Sequence, residues 1–149
     1  MEVEMVKSRT DSWVPLIDGI LLHSTVNPER EAREFISNEW SLLKDTKSVI
    51  VFGLGGGFHV QELLARKDIN IVVIEASREL ASQMEAKNLK LVSQVTLLAG
   101  LPPDLVFKDA AITKCFASSF SILKHPASCR IFSSYYISIL KELNRGTPK

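Results

Sequence analysis

The sequence predicts an α/β protein with a short, mainly parallel, Rossmann-like sheet in three layers. Residues 49–52 and 71–74 are two apolar, largely β-branched runs, as expected of buried parallel strands covered by helices. Between them, four of the seven glycines lie within residues 53–57, and apolar residues at helical spacing follow. A strand, a glycine turn and a helix in this order are typical of nucleotide-binding domains.

Composition and charge narrow the class of protein. A chain of 149 residues with 46% hydrophobic and 23% charged residues is about one globular domain. The net charge of +1 and the scattered basic residues argue against nucleic-acid binding. Glu2 and Glu4 stand where a signal peptide needs basic residues, and no apolar segment spans a membrane, so we expect a cytoplasmic protein without a membrane partner. Cys115 and Cys129 lack metal-site spacing and are expected to be free thiols.

The first 45 residues predict a small β element and a helix that pack on a main domain of residues 46–149. Apolar alternation and turn residues predict short antiparallel strands near residues 3–7, 13–17 and 20–24. An Asn-Pro-Glu sequence then supplies an N-cap, a proline for the first turn and a favourable charge. We therefore predict a helix that ends near residues 44–45.

The main domain alternates between strand and helix patterns, which favours a parallel sheet. We predict its strands at residues 48–52, 70–75, 95–98 and 110–117, in the sheet order 3-2-1-4. We predict helices at residues 58–66, from an N-cap at Ser77 to residues 87–88, at residues 103–107, and at residues 132–144. A His-Pro pair at residues 125–126 is expected to break the chain between the last strand and the last helix.

The glycine turn is the first candidate site. Glycines permit a sharp turn and let a ligand approach backbone N–H groups, which suits a phosphate, a carboxylate or a ribose. Glu75 ends the second strand, where such sheets hold a ribose-binding carboxylate. No Lys-Ser or Lys-Thr follows the turn, so a phosphate loop of the ATPase kind is excluded.

These observations predict a binding site for a small-molecule ligand along one edge of the sheet, but they assign no catalytic residue. The predicted binding residues are Gly53, Leu54, Gly55, Gly56, Gly57, Phe58, Glu75, Ala76 and Gly100. The alternative is a non-catalytic interaction module that keeps the fold without the ligand. A Glu75→Ala substitution would distinguish the two by ligand binding, and we expect it to change stability little in either case.

His59 and Glu62 are interpreted as a helix-surface or site-lining pair, and His23 and His125 as structural residues. His59 and Glu62 lie three residues apart on one predicted helix face, without a further ligand nearby in sequence. His23 and His125 lie beside turn residues and could face the sheet edge, although a structural hydrogen bond is the commoner role. The sequence therefore predicts no metal site.

The glycine turn and the following strand resemble those of class I S-adenosylmethionine-dependent methyltransferases. The resemblance rests on VIVFGLGGGF and the downstream IVVIEAS. It implies S-adenosylmethionine, S-adenosylhomocysteine or another nucleoside-bearing ligand, with Gly53, Gly55 and Gly57 near its methionine part and Glu75 on its ribose. The four predicted strands are fewer than a methyltransferase sheet has, so a complete catalytic site is not expected.

A second resemblance covers more of the chain. LHS at residues 22–24, NPEREA at 27–32, FGLGGGFH at 52–59, HP at 125–126 and SYY at 134–136 resemble the N-terminal region of the motility accessory factor (Maf) and hydroxymethylpterin-pyrophosphokinase-like group. This resemblance implies a Rossmann-like accessory domain in a flagellin or surface-glycan pathway, with a nucleotide-sugar as a second candidate ligand. Because four strands leave a sheet edge open, the expected partner is either a second copy of the chain or a larger protein.

Overall fold

The computed structural model describes residues 2–87 and 93–146 and contains two sheets. The antiparallel sheet consists of β1 (Val3–Lys7), β2 (Trp13–Ile17) and β3 (Ile20–Leu21). The parallel sheet consists of β4 (Ser48–Phe52), β5 (Asn70–Glu75), β6 (Val95–Ala99) and β7 (Phe120–Lys124). The helices are α1 (Pro28–Leu43), α2 (Phe58–Arg66), α3 (Arg78–Ala86), α4 (Pro103–Val106), α5 (Ala110–Phe116), α6 (Pro126–Ile131) and α7 (Ser133–Gly146).

The strand order in the parallel sheet is β6-β5-β4-β7, which confirms both the predicted α/β class and the predicted order. In the register, Val51 lies opposite Val73 on one side and Leu123 on the other. All residues of β4 are buried, as the continuous apolar run predicts for a central parallel strand. The carboxyl ends of the strands, and the loops that follow them, therefore share one edge of the sheet.

Helices cover both faces of this sheet, which gives the three predicted layers. Val49 and Val51 face one core, which receives side chains from α1, α2 and α3. Ile50 and Phe52 face a second core, which receives side chains from α4, α5 and α7. The alternation follows the two-residue period of a strand. Among the described helices, none is both long and apolar enough to cross a membrane.

The N-terminal strands share the first core with the parallel sheet. Val3, Ile17 and Leu22 are buried in the same apolar cluster as Val49. Asn27 caps α1 by accepting a hydrogen bond from the Arg30 amide at 3.0 Å, as predicted. The chain after β3 is thereby held over the carboxyl edge of the parallel sheet.

The predicted fourth strand at residues 110–117 is wrong, because this segment forms α5 and the strand follows as β7. Asp109 starts the helix by accepting a hydrogen bond from the Ala111 amide at 2.9 Å. Ile112 and Cys115 are both buried, and their three-residue spacing is that of a helix face. The β-branched residues of the segment favoured a strand locally, but the cap and this apolar face determine the structure.

The predicted break at residues 125–126 is the start of α6, with Pro126 in its first turn, where the missing N–H costs no hydrogen bond. The last helix begins at Ser133 and continues to Gly146, two residues beyond the predicted end. Ser77 caps α3 as predicted, by accepting a hydrogen bond from the Leu80 amide. Residue 88, at the predicted end of that helix, lies outside the described residues.

Candidate functional site

The glycine turn connects β4 to α2, as predicted. Gly53, Gly55 and Gly57 have φ angles of +100°, +53° and +81°, a region that residues with a Cβ adopt only with strain. All five residues from Gly53 to Gly57 are buried. The turn therefore needs its glycines for backbone conformation, and most of its surface is covered by the chain itself.

Four of the five backbone N–H groups of the turn donate hydrogen bonds within the chain. Turns that bind phosphate instead leave such groups free to donate to the ligand. The four donors here and their acceptors are Gly53 to the Ile74 carbonyl (3.0 Å), Leu54 to Glu75 Oε1 (2.8 Å), Gly56 to His23 Nε2 (2.8 Å) and Gly57 to the Leu54 carbonyl (2.9 Å). A ligand that bound these amides would have to displace an internal acceptor.

Glu75 lies at the carboxyl end of β5, where the sequence predicts it, but its side chain is 0% exposed. Its Oε1 accepts from the Leu54 amide and its Oε2 from the Ser77 amide, each at 2.8 Å. Burial raises the pKa of Glu75, and the hydrogen bonds from the Ser77 and Leu54 amides oppose this effect. The carboxyl group thus ties the glycine turn to the start of α3, and this burial removes the basis for expecting Glu75→Ala to leave stability unchanged.

The remaining predicted binding residues lie along the same edge of the sheet. The Gly100 amide donates to the Glu75 carbonyl at 2.8 Å, and a Cβ on Gly100 would approach Arg78 to 2.9 Å. The Ala76 amide donates to the hydroxyl of Tyr136 at 3.2 Å, and the same hydroxyl donates to the Ile74 carbonyl at 2.8 Å. Tyr136 is thus a core residue.

An open cavity of about 520 Å³ lies beside this edge, against α3. Its lining residues are Leu54, Arg78, Ala81, Ser82, Met84, Glu85, Leu97 and Ala99. Leu54 comes from the glycine turn and Ala99 from the end of β6. The cavity therefore borders the predicted binding region, and Leu54 is the predicted binding residue in its lining.

Three histidines meet on the other side of the glycine turn. His23 follows β3, His59 lies in the first turn of α2, and His125 follows β7. They are 7%, 1% and 6% exposed, and one ring nitrogen from each lies within 4.8 Å of the others. The ring centroids of His59 and His125 are 4.5 Å apart, and those of His23 and His125 are 4.7 Å apart. We call this group the histidine cluster.

His59 has one satisfied and one unsatisfied ring nitrogen. Its Nε2 lies 2.8 Å from the Gly53 carbonyl oxygen, which only accepts, so Nε2 carries the proton. The other nitrogen, Nδ1, is buried and has no hydrogen-bond partner among the described residues. Burial lowers the pKa of His59 to about 3, so at neutral pH the ring is uncharged and Nδ1 presents a lone pair.

The other two histidines are each hydrogen-bonded, as predicted. His125 Nδ1 shares a 2.7 Å hydrogen bond with Ser128 Oγ, and burial holds the pKa of His125 well below its ordinary value. His23 Nε2 accepts from the Gly56 amide, and its Nδ1 lies 3.6 Å from Glu31 Oε1. The nearby His23 imidazole is the main reason that the pKa of Glu31 is lowered.

A smaller cavity of about 220 Å³ opens onto the histidine cluster. Its walls are mostly apolar and include Leu22, Ala32 and Phe35. Glu31 and Arg130 supply the two charged side chains of its lining. The cluster is therefore buried in an apolar shell and connects to a cavity.

Sequence reasoning did not find this cluster. The predicted pair of His59 and Glu62 does not form, because His59 is buried and Glu62 pairs with Arg66 at 2.9 Å. The position of each histidine beside a turn or a strand end was the available signal. Histidines so far apart in sequence are brought together only by tertiary structure.

Comparison with known proteins gives one family match. No curated protein matches the chain at a significant level. Residues 18–83, from the turn after β2 to the middle of α3, match the model of the glycosyltransferase Maf N-terminal domain. This match supports the Maf part of the predicted resemblance, but it supports neither the methyltransferase nor the hydroxymethylpterin-pyrophosphokinase-like part.

Proposed function

We propose that this chain is a non-catalytic accessory module of a Maf-type glycosyltransferase pathway, in which the glycine turn has a structural role. The match of residues 18–83 to the Maf N-terminal domain supports the pathway. The internal use of the turn's amides supports the structural role. This second observation carries the proposal, because a nucleoside-binding turn would hold its ligand through these same backbone N–H groups.

The hydrogen bonds of the turn argue against a ligand in direct contact with it. The Leu54 amide is bonded to Glu75 and the Gly56 amide to His23, so both acceptors are buried side chains. Displacing such an acceptor would leave it unpaired or expose it, at a cost of about 1–3 kcal/mol for each group. A ligand would have to overcome this cost before gaining affinity.

Steric contacts lead to the same conclusion. A Cβ added to Gly53 would lie 2.4 Å from Ser128, and one added to Gly56 would lie 2.6 Å from the ring of Phe58. A Cβ on Gly55 would lie 2.5 Å from His23 Nε2. The space that these glycines leave is thus filled by the chain's own side chains.

The second candidate function is binding of a nucleoside-bearing ligand, such as S-adenosylmethionine, S-adenosylhomocysteine or a nucleotide-sugar. The open cavity of about 520 Å³ favours it, because that cavity lies at the carboxyl edge of a parallel sheet. Arg78, which is exposed, lines the cavity and could contact a phosphate. In this case the ligand would bind beside the glycine turn.

A thermal-shift panel distinguishes the two functions. The purified chain is heated with S-adenosylmethionine, S-adenosylhomocysteine, NAD and several nucleotide-sugars. A ligand at about 100 times its dissociation constant would stabilise the fold by about 2.7 kcal/mol and raise the melting temperature by several degrees. For an accessory module we expect no shift with any of them.

Two matched variants locate the site. Ser82→Trp fills the open cavity from an exposed position on α3, and the control Lys114→Trp is at an exposed position on α5 that does not line the cavity. A shift that Ser82→Trp abolishes and Lys114→Trp preserves would establish the nucleoside site and overturn the accessory role. The pathway is tested separately by calorimetric titration of the chain into the catalytic domain of a Maf glycosyltransferase. We expect a complex with this larger partner, and light scattering then shows whether the free chain is a homodimer.

A further inference from the structure

We propose that His23, His59 and His125 form a binding site for a divalent transition-metal ion, with Zn²⁺ as the expected occupant. The proposal does not depend on the accessory function, since a metal ion could stabilise either an accessory module or a ligand-binding domain. It rests on the unpartnered nitrogen of His59, on the partners of the three rings and on the surrounding cavity.

The unpartnered Nδ1 of His59 is the first observation. A buried polar atom without a partner costs about 1–3 kcal/mol, and folded proteins contain few of them. Because Nε2 donates to Gly53, Nδ1 cannot carry a proton in the neutral ring, so it needs either a hydrogen-bond donor or a metal ion. His59 belongs to the histidine cluster, in which each of the three residues has a ring nitrogen that could bind a metal ion.

The partners of the three rings are the second observation. Metal-bound histidines usually hold their other ring nitrogen against a carbonyl, a carboxylate or another polar group, which fixes the ring orientation. All three such nitrogens have a polar neighbour here: His59 Nε2 faces the Gly53 carbonyl, His125 Nδ1 faces the Ser128 hydroxyl, and His23 Nδ1 faces the Glu31 carboxylate. The opposite nitrogens, which would bind a metal, are His59 Nδ1, His125 Nε2 and His23 Nε2, and of these His23 Nε2 accepts a hydrogen bond from the Gly56 amide.

Both the ring orientations and the distances require adjustment. The rings of His59 and His125 are stacked with an interplanar angle of 4°, and because an imidazole binds a metal ion in its own plane, one of these rings must tilt. Zn–N bonds of about 2.0–2.1 Å in a tetrahedral site place the ligand nitrogens roughly 3.3 Å apart. One ring nitrogen from each histidine lies within 4.8 Å of the others, so the ligand nitrogens must approach one another by up to about 1.5 Å. His23 must also exchange the Gly56 amide for the ion, and we expect it to be the weakest of the three ligands.

The cavity completes the argument. It gives a metal ion access to the cluster, and its apolar walls limit competing water. Glu31, half-exposed, lines the same cavity as Arg130, and its carboxylate lies beside His23 Nδ1, where it would orient the ring for metal binding through Nε2. Neutral imidazoles in an apolar shell suit Zn²⁺ better than Mg²⁺ or Ca²⁺, which prefer oxygen ligands.

The test uses tag-free protein, so that an affinity tag cannot bind the ion. The apo chain, prepared with a chelator, is titrated with Zn²⁺ by calorimetry and with Co²⁺ by visible absorption. We expect one ion per chain and a cobalt spectrum typical of four-coordinate nitrogen and oxygen ligation, without sulfur charge-transfer bands. In His59→Gln, we expect the affinity to fall by at least about 100-fold, beyond the loss seen for residues that only orient a ligand.

Cys129→Ser is the matched control, since Cys129 is a half-buried free thiol and the other potential soft ligand, Cys115, is fully buried. We expect Cys129→Ser to bind zinc like the unmodified chain. A histidine side-chain NMR titration needs no variant, because the chain contains three histidines in all. All three imidazoles should shift up to one equivalent of Zn²⁺. No uptake at millimolar Zn²⁺, unchanged uptake in His59→Gln or loss of uptake in Cys129→Ser would each overturn the proposal.

Discussion

On one side of the glycine turn, Glu75 is buried with both carboxyl oxygens hydrogen-bonded, whereas on the other side, His59 is buried with one ring nitrogen unpartnered. Both residues contact the turn: Glu75 accepts from the Leu54 amide, and His59 donates to the Gly53 carbonyl. The surroundings of Glu75 therefore form a complete network, and those of His59 an incomplete one.

The difference separates a structural role from a binding role. A buried polar network in which every group is hydrogen-bonded adds rigidity and leaves no atom for a ligand. An incomplete network retains a buried polar atom without a partner, which a ligand can bind. Sequence patterns favour the opposite assignment, because the acidic strand end is typical of ribose binding and the histidines lie apart. Substitutions on the two sides can test this distinction.

The largest effect is expected for Glu75→Ala. The substitution leaves the amides of Leu54 and Ser77 without acceptors in a buried site. We expect the free energy of unfolding to fall by about 3 kcal/mol, as measured by urea denaturation. The control is Glu85→Ala, an exposed position on α3, which should change stability by less than about 0.5 kcal/mol. Equal effects of the two substitutions would show that Glu75 does not hold the turn.

The second test concerns the contact between the turn and the histidine cluster. Gly55 and Gly19 both have positive φ, but a Cβ on Gly55 would lie 2.5 Å from His23 Nε2, whereas one on Gly19 would contact nothing within 4 Å. We expect Gly19→Ala to cost about 1 kcal/mol for backbone strain, and Gly55→Ala about 2–3 kcal/mol because the His23 ring must also move. Chemical denaturation measures both. A cost for Gly55→Ala no larger than that for Gly19→Ala would mean that His23 moves freely.

The parts of the fold predicted from sequence are those that local patterns determine. The strands at residues 48–52 and 70–75 and the turn between them follow from apolar runs and glycines, and the structure has them at the predicted bounds. The segment at residues 110–117 was predicted incorrectly because its β-branched residues conflict with a cap and a helical apolar face, and the second signal dominates.

The candidate site was predictable in position but only partly in chemistry. Glu75 lies at the edge where the strand pattern places it, yet its hydrogen bonds depend on how the turn folds back over it. The histidine cluster depends on contacts between residues 23, 59 and 125, which no local pattern records. The sequence pattern therefore predicts that the site lies at this edge of the sheet, whereas tertiary packing determines which polar groups there already have hydrogen-bond partners.

The smallest effect is expected for Ser128→Ala, which changes a hydrogen-bond partner of the histidine cluster. The substitution removes the hydroxyl that shares a hydrogen bond with His125 Nδ1, so we expect a loss of about 1 kcal/mol in the free energy of unfolding of the apo protein. Because this hydroxyl would also orient the ring for a metal ion, Zn²⁺ affinity should fall about tenfold in calorimetric titrations. Ser134→Ala, at an exposed position on α7, should alter neither quantity.

The two measurements on Ser128→Ala have different meanings. A loss of stability alone would assign Ser128 the same purely structural role as the partners of Glu75, and the two sides of the turn would then be alike. A loss of both would place Ser128 behind a metal ligand, because a residue with only a structural role has no reason to change the affinity for an ion that it does not touch. The side with the unpartnered nitrogen would then be the one that binds a ligand.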